Sequence, residues 1–282
     1  MVIRRFFSQE NLVRAKTELN YIIDTIMNSY GELDLSIRED YFNLYYRGNS
    51  LAKIVFKAKG LYQISIHNKF FYGTRANNRK YFINLIPKKD YTSLVLNKDL
   101  IHPFFQKKHI DEFCSRIKEV NWGEEADFEQ SLISDNLNRE DIIFIDRQIT
   151  DSKLRRMRMD LLALVQDKED KYSFLVAEVK LGNNSELNNK VAGQLTTYVN
   201  HIKNHFSDYI NCYQKQYEQK KELGLFLKPR YQIIKIQQKI EGVIIVGGYS
   251  GKARQQIETL RLNFPNLQIM TFFHPYDRNK LK

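Results

Sequence analysis

The amino-acid sequence predicts an α/β chain. Its C-terminal half reads as a mixed β-sheet flanked by helices, preceded by a smaller α+β region. Three observations predict this. Between residues 41 and 100, segments rich in β-branched and aromatic residues are separated by Gly48 and Gly60, the pattern of antiparallel strands. From residue 124 onward, strand-length apolar runs alternate with helix-period stretches, the rhythm of a sheet with helices on its faces. The 282 residues, 43% hydrophobic and 27% charged, are enough for roughly two domains with cores of their own, which excludes wholesale disorder. The division is expected between 1–115 and 116–282.

Taken in order, Ser8 opens a helix in which Leu12, Ala15, Leu19, Ile22 and Ile26 recur at three- and four-residue steps, with Gly31 as its stop. YFNLYY, LAKIVFKA, YQISIH and YTSLVL read as strands, and Pro87 and Pro103 punctuate the end of this region. In the second half, 124–136 reads as a helix and 142–149, 157–166 and 172–181 as three strands. Residues 189 to 206 form a helix with Leu195, Val199, Ile202 and Phe206 as its apolar stripe. The polar stretch 208–223 reads as a protruding helix, followed by a strand at 242–248, a helix at 252–263 and a strand at 267–273.

Charge and composition narrow the function. Lys and Arg outnumber Asp and Glu by 44 to 33, a net charge of +11, which suggests a polyanionic partner, nucleic acid first and an anionic membrane second. Seventeen Tyr and 18 Phe supply rings for stacking on bases or simply for the core. Two cysteines, Cys114 and Cys212, are too few for a four-cysteine zinc site or an iron–sulfur cluster and suggest no disulfide framework, so a cytoplasmic protein is expected. The N-terminus lacks a signal-peptide core, and no apolar run reaches the roughly 18 residues of a membrane span.

The informative segment is RMDLLALVQDKEDKYSFLVAEVK, in which Asp160 interrupts an apolar strand. A buried carboxylate requires a partner or a metal. Glu178 and Lys180 lie two apart in the next strand, hence on one face and roughly 6.6 Å apart. A hairpin centred on 166–171 sets Asp160 opposite Ala177 or Glu178, and that one-residue choice decides whether the two carboxylates share a face. If they do, two carboxylates beside an ammonium suit a divalent cation with oxygen ligands. The same residues also suit a buried ion pair that fixes strand register. Upstream, Glu125 and Glu129 share a helical stripe with Phe128, Leu132 and Ile133; downstream, Lys190, Gln194 and Tyr198 share another, apart from the Leu195 stripe.

Asp160, then Glu178-Val179-Lys180, then the helix GQLTTY carrying Gln194 and Tyr198, resembles the PD-(D/E)xK nuclease superfamily. The helix is similar to the QxxxY motif of its RecB-like branch, and Glu125 resembles the first-helix glutamate of many members. The resemblance covers residues 120–275 and implies a restriction-endonuclease-like fold for that half. It implies Asp160, Glu178 and the Val179 carbonyl as metal ligands, Lys180 as the catalytic lysine, Glu125 as an accessory metal or water ligand, and Gln194 and Tyr198 as positioning residues. Mg²⁺ or Mn²⁺ is the implied cofactor. Met159 stands where many members have proline, and residues 1–115 resemble no family.

The expected function is metal-dependent hydrolysis of DNA in defence (anti-phage), restriction or repair, with residues 1–115 binding substrate or a partner; a homodimer or a helper protein fits the same reading. An RNA-cleaving enzyme of the same fold and a non-catalytic nucleic-acid-binding module are the alternatives. Three weaker patterns stand beside it. VGGYSGKA (246–253) is a phosphate-loop pattern one residue short, better suited to a turn into a helix. His201 and His205 have helical spacing without an HExxH context and are expected to face solvent or DNA rather than zinc. Lys153, Arg155, Arg156 and Arg158 could grip a phosphate backbone or line a solvated strand edge.

Overall fold

A computed structural model describes residues 3–77, 81, 86–87, 89–120, 123–154, 157–226, 233–248 and 251–272. The chain forms two compact units, one of Arg5–Gly123 with Gln219–Leu225, the other of Met1–Arg4, Glu124–Glu218 and Phe226–Lys282. The division at Gly123/Glu124 replaces the expected one at 115/116, which falls inside a helix (Lys107–Val120).

The first unit opens with α1 (Gln9–Glu18) and α2 (Asn20–Met27). Ser8 caps α1, its hydroxyl accepting the Asn11 N–H at 3.3 Å. The single long helix expected here is broken at Leu19, which leaves helical geometry at φ −123°. Leu19 is itself buried, so the apolar spacing runs through the break and could not reveal it. Six strands follow: β1 (Leu33–Arg38), β2 (Tyr41–Tyr46), β3 (Asn49–Phe56), β4 (Leu61–His67), β5 (Ile86–Pro87) and β6 (Tyr91–Asn97). They form one antiparallel sheet in the order β1-β2-β3-β4-β6-β5. Arg47 and Gly48 both have positive φ, the two-residue turn that matches strand twist. α3 (Asn68–Phe71), α4 (Lys98–Phe104) and α5 (Lys107–Val120) complete the unit. Pro103 lies inside α4 rather than ending the region. Ile110, Phe113 and Ile117 of α5 join Leu44, Ile54 and Ile64 in the core.

The second unit contains α6 (Glu124–Asp135), β7 (Ile142–Ile149), β8 (Met159–Lys168), β9 (Lys171–Leu181), α7 (Asn189–Lys203), most of α8 (Phe206–Glu222), β10 (Lys235–Gly247), α9 (Gly251–Asn263) and β11 (Gln268–Phe272). The sheet order is β11-β10-β9-β8-β7, with β7, β8 and β9 antiparallel and β9, β10 and β11 parallel. Helices α6 and α7 take opposite faces. Leu132 and Ile133 of α6 pack with Leu161, Ala177, Val179 and Ile245. On the other face, a Cβ on Gly242 would meet Val199 and Leu195 of α7 at 2.8 and 3.0 Å, so only glycine lets α7 sit this close. α8 does not protrude: Tyr209, Cys212, Tyr213, Gln216, Tyr217 and Lys220 are buried at three- and four-residue steps. Among the described residues, no helix is long and apolar enough to cross a membrane.

Candidate active site

The β8–β9 register pairs Leu161 with Ala177. The next step along the ladder brings Asp160 beside Glu178, so of the two registers open to the sequence the chain adopts the one that converges the carboxylates. Both side chains, with Lys180, lie on the face covered by α7. Asp160, Glu178 and Lys180 are all buried. Lys180 Nζ lies 2.8 Å from Glu178 Oε1 and 3.7 Å from Asp160 Oδ2. The Val179 N–H donates to Asp160 Oδ2 at 2.9 Å. Glu178 Oε2 is buried and accepts no hydrogen bond among the described residues.

The electrostatics follow from this crowding. Burial, then the Asp160 charge, pushes the Glu178 carboxyl up to about 8 despite Lys180. Burial also raises Asp160, against the pull of Lys180 and the Val179 N–H. For Lys180, burial disfavours the charge, but the Asp160 and Glu178 carboxylates outweigh it and hold the ammonium protonated. Two acids and one base therefore carry less than full compensation, and one oxygen has no donor.

Glu125 and Glu129 have different surroundings. Glu125 Oε2 accepts from Asn184 Nδ2 at 2.9 Å, and its charge acts on Asp160, Glu178 and Lys180. Glu129 is tied down on the α6 face. Arg147 Nη2 donates to it at 3.1 Å, and Gln148 Nε2 lies 3.1 and 2.9 Å from its two oxygens. A bulge between Phe144 and Asp146 turns Arg147 toward α6. Gln148 adopts φ +51°, a conformation uncommon for a residue with a side chain. Burial raises Glu129 to about 7 even so.

On α7, Tyr198 is buried, and its hydroxyl donates to the Arg158 carbonyl at 2.9 Å, two residues before Asp160. Burial and the Glu178 and Asp160 charges push it up to about 12. Gln194 is half-buried, and its Oε1 has no hydrogen-bond partner among the described residues. Lys190 is paired with Glu186. The sequence reading set Tyr198 apart from the apolar stripe, yet it is as buried as Leu195, because a phenol can reach a carbonyl while its ring packs.

His201 and His205 are half-buried and hydrogen-bonded rather than freely exposed. His201 Nε2 contacts Asp151, whose carboxylate also accepts from Tyr209 Oη at 2.7 Å and the Leu154 N–H at 2.9 Å. Burial would raise Asp151, but these bonds and those from His201 and Lys153 hold it low. His205 Nδ1 lies 2.8 Å from the His201 carbonyl, and Lys153 Nζ lies 3.0 Å from His205 Nε2. Sequence reasoning missed Asp151, Tyr209, Asn184 and the Arg147–Glu129 pair. The pair did leave a signal, a charged residue inside the apolar run IIFIDRQI. Arg155 and Arg156 lie outside the described residues, as do 249–250 of the glycine-rich stretch. Gly251 is the first residue of α9.

All oxygens at Asp160 and Glu178 are hard ligands, and the unpartnered Glu178 Oε2 fits a divalent cation. Among the described residues, no three His, Cys, Asp or Glu side chains stand together as a metal site. A cation here would rest on two carboxylates and a backbone carbonyl; Glu125, whose charge acts on the same residues, is hydrogen-bonded to Asn184.

No protein-family model matches the chain, and no curated protein does. A repair endonuclease from Pyrococcus abyssi aligns at 14% identity, covering 86% of this chain and 78% of that one, with a TM-score of 0.29. An EndoMS–dsDNA complex aligns at 10% identity over 87% of this chain and 78% of that one, with a TM-score of 0.30. Neither likeness is large enough to establish a shared fold.

Proposed function

We propose that this chain is a metal-dependent nuclease of the PD-(D/E)xK type, hydrolysing phosphodiester bonds in DNA, with its centre at Asp160, Glu178 and Lys180. The observation that carries the reading is the buried Glu178 Oε2, unpartnered beside a second buried carboxylate. Such an arrangement costs stability unless a cation completes it. Asp160, Glu178 and the Val179 carbonyl would hold Mg²⁺ or Mn²⁺, which when bound neutralises charge on the scissile phosphate and acidifies a coordinated water.

The chain's own groups do the rest. Lys180 holds a proton and a positive charge where negative charge develops on the phosphate. The Val179 N–H fixes the Asp160 carboxylate. Tyr198 fixes the start of β8 through the Arg158 carbonyl. Glu125 would orient water and Gln194 would position substrate. The net charge of +11 supplies distributed phosphate attraction. A role in defence, restriction or repair, in the cytoplasm, is consistent with this chemistry, as is a homodimer or a helper protein. Residues 1–115 are assigned to substrate or partner binding.

One observation favours a second reading: the 2.8 Å contact between Lys180 and Glu178 is also what a register-fixing ion pair in a binding module would make. The test is cleavage of circular and linear, single- and double-stranded DNA and RNA, with and without Mg²⁺ or Mn²⁺. Metal-dependent cutting of DNA is expected. Cutting of RNA alone would change the substrate, and binding without cutting would leave the module.

A further inference from the structure

The link from β7 to β8 is tied to α7 at two points. At its start stands Asp151, whose side chain has no exposed surface. Its Oδ1 accepts the N–H groups of Lys153 and Leu154 at 2.8 and 2.9 Å. Its Oδ2 accepts from Tyr209 Oη of α8 at 2.7 Å and contacts His201 Nε2 of α7. At the end of the link, the Arg158 carbonyl accepts from Tyr198 Oη of α7 at 2.9 Å. Tyr198 and His201 are three residues apart, hence on one side of that helix. Between the two points the Met157 N–H donates to the Leu154 carbonyl at 2.9 Å, and Leu154 is buried. A carboxylate that joins its own loop to two helices fixes where the whole link sits, not merely its turn.

The side chain this construction presents is Arg158. It is exposed, and among the described residues its guanidinium makes no hydrogen bond or ion pair. Lys153, the other described cation of the link, is already engaged, with Nζ 3.0 Å from His205 Nε2. Arg158 stands two residues before Asp160 at the head of β8. In an extended chain that spacing puts both on one face, with Cα atoms roughly 6.6 Å apart. Its charge also acts on Asp160. We infer that Arg158 receives a backbone phosphate of the nucleic acid beside the one that is cut, and that Asp151 is the positioning residue that holds it there. A guanidinium suits this task because its planar fork matches two phosphate oxygens at once. That the phosphate neighbours a cut bond rests on the nuclease reading; the anion contact does not.

The test is binding of the full chain to a fluorescein-labelled DNA duplex in EDTA, read by anisotropy over a salt series. Arg158→Gln should weaken binding about tenfold at low salt and make the slope of log affinity against log salt shallower by about one. Asp151→Asn removes a negative charge, which by itself would tighten binding to DNA. The positioning role requires the opposite, about fivefold weaker binding with the shallower slope of Arg158→Gln. In the Arg158→Gln background, Asp151→Asn should change the slope no further. Tyr209→Phe takes away one donor and no charge; it should act in the same direction more weakly, and it decides the matter if Asp151→Asn does not fold. A wild-type slope in Arg158→Gln would overturn the phosphate contact. Tighter binding by Asp151→Asn, or wild-type binding by Tyr209→Phe where Asp151→Asn does not fold, would overturn the positioning role. A chain that shows these losses but cuts no DNA would keep the contact and lose the nuclease. A chain that cuts DNA while Arg158→Gln binds like wild type would keep the nuclease and lose the contact.

Discussion

The two faces of the five-stranded sheet each bury a glutamate beside a cation, with different results. On the α6 face, Glu129 receives Gln148 on both of its oxygens and Arg147 on one of them. On the α7 face, Glu178 receives, among the described residues, only Lys180, on one oxygen, and shares that lysine with Asp160. Both carboxyls are raised by burial, to about 7 and about 8, so a perturbed acid alone does not separate them. Satisfaction does. A guanidinium with a planar fork and an amide can close a carboxylate's inventory, whereas one ammonium cannot close two. The first face is built like a structural ion pair, the second like a site waiting for charge.

The largest expected difference between the faces is in catalysis. Asp160→Ala and Lys180→Ala should each lower cleavage by about a thousandfold or more, equivalent to about 4 kcal/mol of lost transition-state stabilisation, while nucleic-acid affinity stays within about twofold. Arg147→Met should not act through chemistry. It should destabilise the fold by about 3–5 kcal/mol, because it leaves Glu129 buried with its main partner gone. Urea melts of the two sets of variants, read beside cleavage rates, would break the comparison if Arg147→Met were harmless, or if it abolished cleavage at wild-type stability.

Between the two acids of α6, Glu125→Gln should reduce cleavage with little change in stability, whereas Glu129→Gln should chiefly lower the melting temperature. Loss of cleavage in Glu129→Gln alone, at wild-type stability, would reverse these roles. A smaller effect is expected from Tyr198→Phe. It removes one hydrogen bond to the Arg158 carbonyl, which should cost about 0.5–1.5 kcal/mol and leave the carbonyl unpaired. Tyr198→Phe at full stability would show that the hydroxyl does not hold the start of β8.

Much of this was legible in the sequence because the relevant signals are local. The bounds of β7 follow from its apolar run, and the face shared by Glu178 and Lys180 follows from a period of two. The register was left between two choices, since turn length alone does not fix which residues of 166–171 form the turn; Glu169 does so with φ +38°. What sequence could not show is long-range. The bulge that turns Arg147 toward α6, the Asn184 bond that holds Glu125, and the Asp151 network reaching from His201 to Tyr209 join residues many positions apart. The break at Leu19 and the buried stripe of α8 were missed for different reasons. A buried residue at the break preserves the apolar period, and tyrosines, glutamine and lysine on the α8 stripe disguise a packed face as a polar one.

The pH dependence of stability, read with and without metal, separates a cation site at Asp160 and Glu178 from a buried ion pair. A Glu178 carboxyl held near 8 in the folded chain, against an ordinary value of 4.5, means that the folded state keeps a proton the unfolded state has released. In EDTA, this group should therefore cost stability progressively as pH rises from about 4.5 to about 8. A cation bound at Asp160 and Glu178 removes that cost and stabilises the folded state by mass action. Thermal melts of wild type and Asp160→Asn at pH 8, in EDTA and in millimolar Mg²⁺ or Mn²⁺, read both effects together. A metal-dependent rise in melting temperature is expected for wild type. Asp160→Asn should melt higher than wild type in EDTA and lose most of the metal increment. A wild type indifferent to metal, with a large drop for Asp160→Asn in EDTA, would contradict the cation site and make Asp160, Glu178 and Lys180 a buried ion pair like the one on the opposite face.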